Sequence, residues 1–145
     1  MNFRGIHVIA GVMLATLAPA SFAADIQPGL WELMVESRVA ASPDFSPEPV
    51  TIKQCLTEQD AQDPSRVLGG VANPGATDCT YTEASFAGNV FRFKMQCAGS
   101  LGIQARGEIT YSATSMDGVI FTTVDMAGQA TEMQSRVAAH RLGGC

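Results

Sequence analysis

Four cysteines, Cys55, Cys79, Cys97 and Cys145, constrain this chain more than any other feature, because two cross-links between four such distant points leave few ways to fold it. They allow three pairings, and the sequence favours one. Strand-like runs at Cys79–Phe86 and Val90–Cys97 flank a turn signal at Gly88-Asn89. A three-residue loop at Ala87–Asn89 pairs Phe86 with Val90, and the same register sets Cys79 opposite Cys97, Tyr81 beside Met95 and Ser85 beside Phe91. A cross-strand bridge fits that geometry. Cys55 then remains for Cys145, the last residue. A zinc site is the weaker reading, since no CxxC occurs and His140 is the one histidine beyond the leader.

The cysteines lie beyond an N-terminal leader. Arg4 supplies a basic start, Val8–Leu17 is an apolar run, and Ser21-Phe22-Ala23 offers small residues at the cleavage positions. Residues 1–23 therefore read as a secretion signal and residues 24–145 as one β domain, periplasmic or secreted, with no transmembrane segment in the mature chain. The chain is acidic, with 14 Asp and Glu against 9 Lys and Arg and no basic cluster. That balance argues against a nucleic-acid or anionic-membrane partner.

Alternation of apolar and polar residues marks the strands. Trp31, Leu33, Val35 and Val39 alternate with Glu32, Glu36 and Arg38 after Gly29. A proline-rich loop, Ala40–Pro49, leads to Val50–Gln54. Thr57 caps one short helix near 57–63 that Pro64 limits. Gly69-Gly70 and Asn73-Pro74-Gly75 mark a loop. After the cysteine hairpin come Leu101–Tyr111, an Asp117-Gly118 hairpin turn, Val119–Met126, a turn at Gly128-Gln129, and Thr131–Leu142. Gly107 falls on the apolar side of its strand, where it permits a bend. The sum is an all-β antiparallel meander of about seven strands, forming a curved sheet or open barrel.

Four blocks in order, Pro28-Gly29-Leu30-Trp31-Glu32, Gln54-Cys55-Leu56-Thr57, the cysteines Cys79 and Cys97, and Arg141-Leu142-Gly143-Gly144-Cys145, give the chain a resemblance to the DUF3617 family. These are small exported bacterial proteins without an established activity. The resemblance implies export and one domain, and implies no catalytic residue. Family members commonly carry a Met- and Pro-rich loop after the first strand. Here Ala40–Pro49 has prolines and no methionine, which weakens any soft-metal role for it.

Chemistry-bearing residues are sparse. His140 stands in no motif. Glu32 and Glu36 share a strand face but sit about 13 Å apart along it, too far to share a proton. Met34, Met95, Met116, Met126 and Met133 are scattered over separate strands and read as core filling. No catalytic residue, metal site or cofactor is expected. The sharpest functional expectation is an apolar concave face lined by Trp31, Phe91, Phe93, Tyr111 and Phe121, taking a small apolar ligand or an envelope protein. The leading reading is a non-catalytic binding or accessory module. A hydrolase-type enzyme with an unrecognised site and a structural envelope protein without a ligand are the alternatives.

Overall fold

The computed structural model describes residues 25–42, 44–45, 47–72, 78–99, 102–126 and 128–145. The expected leader, Pro43 and the Asn73-Pro74-Gly75 loop signal lie outside the described residues. Seven strands form one antiparallel sheet: β1 (Gly29–Val39), β2 (Val50–Leu56), β3 (Cys79–Ala87), β4 (Val90–Cys97), β5 (Gln104–Tyr111), β6 (Ser115–Met126) and β7 (Gln129–Gly143). Among the described residues two helices, α1 (Glu58–Ala61) and α2 (Pro64–Ala72), fall between β2 and β3.

The strand order is β2-β1-β7-β6-β5-β4-β3. β3 to β7 are therefore consecutive hairpins, and β1 docks on β7 with β2 outside it. The sheet is not closed; β2 and β3 are its two edges. The chain leaves one edge and re-enters at the other, and both helices ride on that crossing. Both edges reach α2. Leu56 of β2 lies near Val67, and Tyr81 of β3 donates its hydroxyl to the Ser65 carbonyl at 2.5 Å. A flat seven-stranded sheet spans roughly 29 Å between its edges, whereas nine helical residues extend only about 14 Å. The sheet must curl around the helix to bring both edges this near to it.

The registers stack the covered face into apolar rungs. One runs through all seven strands as Val50, Val35, Val137, Gly118, Ile109, Phe91 and Phe86. The rung beside it is Ile52, Leu33, Ala139, Met116 and Tyr111. Leu68 of α2 closes over them with no exposed surface. Arg92, Lys94, Arg106, Glu108, Glu132, Arg136 and His140 alternate onto the outer, solvent-facing side.

Four local expectations are corrected. The β3–β4 turn has two residues, pairing Ala87 with Val90; Gly88 has φ +59°, as the first position of a type II′ turn requires. A bulge between Tyr81 and Glu83 absorbs the one-residue difference, so Cys79 still faces Cys97 while Ser85 faces Arg92 instead of Phe91. Asp117-Gly118 lies inside β6, and glycine suits position 118 there because a side chain would press on the Glu108 carbonyl at 2.6 Å and Ile109 Cγ1 at 2.8 Å. The turn is instead made at Ser112–Ser115, where the Ser112 hydroxyl accepts from the Thr114 and Ser115 amides. Gly69-Gly70 lies inside α2, a second helix where a loop is expected. Gly69 is there because the Tyr81 hydroxyl occupies the space a Cβ would need. Gly107 likewise serves space: a Cβ would lie 3.0 Å from Phe93 Cζ and 2.9 Å from the Val119 carbonyl.

Two disulfides, Cys55–Cys145 and Cys79–Cys97, tie the sheet. The first spans β1, joining the β2 edge to the end of β7. Among the described residues no helix is long and apolar enough to cross a membrane.

Candidate functional site

Ala139 carries one side-chain carbon in a rung otherwise built from Ile52, Leu33, Met116 and Tyr111. Leu33 and Met116 flank it, and the shortfall leaves a cleft of about 170 Å³ between the sheet and α2. Trp31, Leu33, Met116 and Ala139 form its floor, with Leu56 and Val67 as walls. Gln54, Asp60, Arg66 and Gly70 surround its mouth.

Each lining element is held by its own hydrogen bonds. Trp31 Nε1 donates to the Gln27 carbonyl at 2.9 Å, which fixes the indole with only 3% of its surface exposed. Arg141 Nε donates to the Pro28 carbonyl at 2.8 Å and anchors the start of β1 to the end of β7. Thr57 caps α1 as its sequence position suggests: its hydroxyl accepts from the Asp60 amide, and Asp60 Oδ2 takes hydrogen bonds from the Thr57 amide and hydroxyl. Those bonds from Thr57 hold the Asp60 carboxyl below its ordinary range. Asp63 is treated likewise by the Ser65 hydroxyl and the Arg66 amide. The Arg66 guanidinium has no carboxylate within 4 Å among the described residues.

The structure separates the aromatic residues singled out in the sequence. Trp31 lines the cleft. Phe91, Phe93 and Tyr111 lie on the same covered face but are consumed by packing: Phe91 and Phe93 stack at 5.4 Å, Phe86 stacks on Phe91 at 4.6 Å, and Tyr81 meets Phe91 edge-on at 5.7 Å. Phe121 is corrected to the opposite face, where the Arg106 guanidinium lies 4.4 Å from its ring centre. One position in strand parity decides this, since Ile120 takes the inward place opposite Gly107. Leu33, Ala139, Val67 and Arg66 were not anticipated as lining. An alanine inside an apolar rung is a visible signal only once register is known.

A larger, shallower hollow of about 550 Å³ lies over Phe121 and Val119 on the outer face. Its cations are already satisfied: Arg92 meets Glu108 at 2.6 Å, Lys94 meets Glu83 at 2.9 Å, and Arg106 meets Glu132 at 3.2 Å. It offers an exposed sheet surface with its charges internally neutralised, so the smaller, more enclosed cleft with its buried lining residues is the better candidate.

His140 stands on the outer face between two neighbours, Glu32 on β1 and Ser115 on β6. Glu32 Oε1 lies 3.6 Å from His140 Nε2 and Oε2 lies 3.4 Å from Lys53 Nζ. The Ser115 hydroxyl is engaged with that of Ser112 at 2.8 Å, and the His140 side chain is 58% exposed. This is a charged rung on open sheet. Glu36 lies further along, grouped with Arg38, Gln134 and Arg136. Met34 is exposed, Met95 and Met116 are buried on separate strands, and Met133 is half-buried. No group of three or more histidine, cysteine or acidic residues converges among the described residues.

Three of the sequence blocks meet at one corner of the cleft. Leu30 pairs with Cys55 on one side and Gly143 on the other, and Gly29 pairs with Leu56. The Cys55–Cys145 bridge closes that corner. No curated protein and no solved structure matches this chain. A family model described as a protein of unknown function, DUF3617, matches residues 26–145, and the chain belongs to that family.

Proposed function

We propose that this chain is an exported, non-catalytic binding module whose covered sheet face takes an apolar group in the cleft beneath α2. Export rests on the leader at residues 1–23 and on two disulfides, which persist in oxidising compartments. The observation that carries the binding reading is the gap at Ala139, apolar on its floor and walls and open at its mouth. Its volume of about 170 Å³ compares with a cavity of roughly 150 Å³ that admits benzene. It therefore suits one ring or a short alkyl chain and is smaller than a typical drug-sized site.

Native mass spectrometry of protein purified without detergent from its source tests this reading. A retained small molecule is expected in the wild type and is lost in Ala139→Leu, which fills the floor. Gly70→Leu is the second variant: a Cβ at 70 meets nothing within 4 Å, and replacing a helical glycine favours α2. A clean apo mass for the wild type, or retention unchanged in both folded variants, overturns the proposal.

A further inference from the structure

We infer that the ligand of this cleft is a short alkyl carboxylate, with its chain on Ala139 and its head at Arg66; this rests on the binding reading above. The mouth is unequal in its hydrogen-bonding capacity. Arg66 contributes guanidinium donors with no carboxylate within 4 Å among the described residues, and Gln54 contributes an amide. The acid at the mouth, Asp60, has Oδ2 committed to two hydrogen bonds from Thr57 at 3.0 and 2.7 Å. Asp63, the other acid beside α2, has Oδ1 committed to the Ser65 hydroxyl and the Arg66 amide. Both acids are thus turned to their own helix caps; the Arg66 charge acts on each of them, but its guanidinium makes no ion pair within 4 Å among the described residues. A head rich in acceptors, able to take Arg66 in a two-pronged contact, complements this rim.

The floor sets the length. A space of about 170 Å³ holds roughly six carbons, on the scale of a cavity that fits benzene. Within that limit each added methylene leaves water for an apolar wall, and affinity rises about fourfold per carbon. Beyond it the chain must emerge past Arg66 and the gain stops. The expected occupant is a monocarboxylate near hexanoate, bound without any covalent step.

Trp31 is the protein's one tryptophan and lies on the floor, so its fluorescence reports occupancy directly. The full mature chain, disulfides intact, is titrated with butanoate through decanoate and with 1-hexanol as the uncharged counterpart. Hexanoate is expected to bind about three- to fivefold more tightly than 1-hexanol, the scale of one partly exposed ion pair. Arg66→Gln should abolish that preference, so that hexanoate and 1-hexanol bind this variant equally, and affinity should level off near six carbons. If hexanoate and 1-hexanol bind the wild type equally, or Arg66→Gln keeps the preference, the carboxylate assignment is wrong although the cleft still binds. If neither compound nor any longer homologue perturbs Trp31, the apolar cleft itself is not a binding site.

Discussion

Ala139 holds the cleft open by being short, and Tyr81 holds its roof in place by being long. The Tyr81 ring spans from β3 to α2, and its hydroxyl donates to Ser65 O with Gly69 drawn close above it. Burial pushes the Tyr81 phenol up to about 12, with a smaller contribution from the Asp63 charge. Burial raises Tyr111 as well, aided by Asp25. A tyrosine whose folded value exceeds its unfolded value contributes stability below the unfolded value, near pH 10, and that contribution is lost as pH rises through the folded one. The chain has two tyrosines. Absorbance of tyrosinate in the native protein should therefore appear above pH 10 for both tyrosines, close to 12 for Tyr81, with stability falling over the same interval. In the urea-unfolded chain the same absorbance should rise near pH 10. A native titration centred at 10 would mean that Tyr81 does not pin α2.

At the scale of elements, α2 decides whether the covered face is a core or a groove. It is short and carries two glycines, so its intrinsic helix preference is poor, and packing must hold it. Leu68 supplies that packing with no exposed surface. Leu68→Ala is expected to cost about 2–5 kcal/mol in urea unfolding. A loss below about 1 kcal/mol would show that α2 contributes little to the fold. The same element shows where sequence reading stops. Strands β1, β4 and β7 are legible because strict alternation survives wherever one face is buried and the other is wet. Gly69-Gly70 and Asp117-Gly118 look like turns by composition, yet both stand in regular elements, where Gly69 and Gly118 leave room that a neighbour needs. The demand comes from Tyr81 in one case and from Glu108 and Ile109 in the other. Such demands come from residues distant in sequence, and no local window contains them. The cysteine hairpin is an intermediate case: a shorter turn and a bulge replace the expected three-residue loop, and the two changes cancel at Cys79 and Cys97.

The whole molecule is a sheet curled around one short helix, with its edge strand β2 tied by a disulfide to the end of β7. Cys55–Cys145 spans a separation of 90 residues, and the loop-entropy model assigns such a closure roughly 4–5 kcal/mol. Cys79–Cys97, with a separation of 18, is assigned about 3 kcal/mol. Each is a sizeable share of the ~5–15 kcal/mol typical of a folded domain. The longer bridge also sets the cleft: Gln54 and Leu56 adjoin Cys55, and Thr57 begins the helix that carries Asp60 to the mouth. Sequence alone points to an apolar covered face and to Trp31 on it. It misplaces Phe121 and misses the gap at Ala139, because a cleft is a deficit of volume and appears only when the rungs are assembled.

The most direct test of that deficit is methyl NMR of residues 24–145 with both disulfides formed, titrated with toluene, a neutral probe of suitable size. The methyls of Leu33, Leu56, Val67, Met116 and Ala139 should shift together along one binding curve, while Met34 on the outer face stays still. Unmoved methyls at Ala139 and Met116, or equal shifts at Met34, would contradict an open apolar cleft beneath α2.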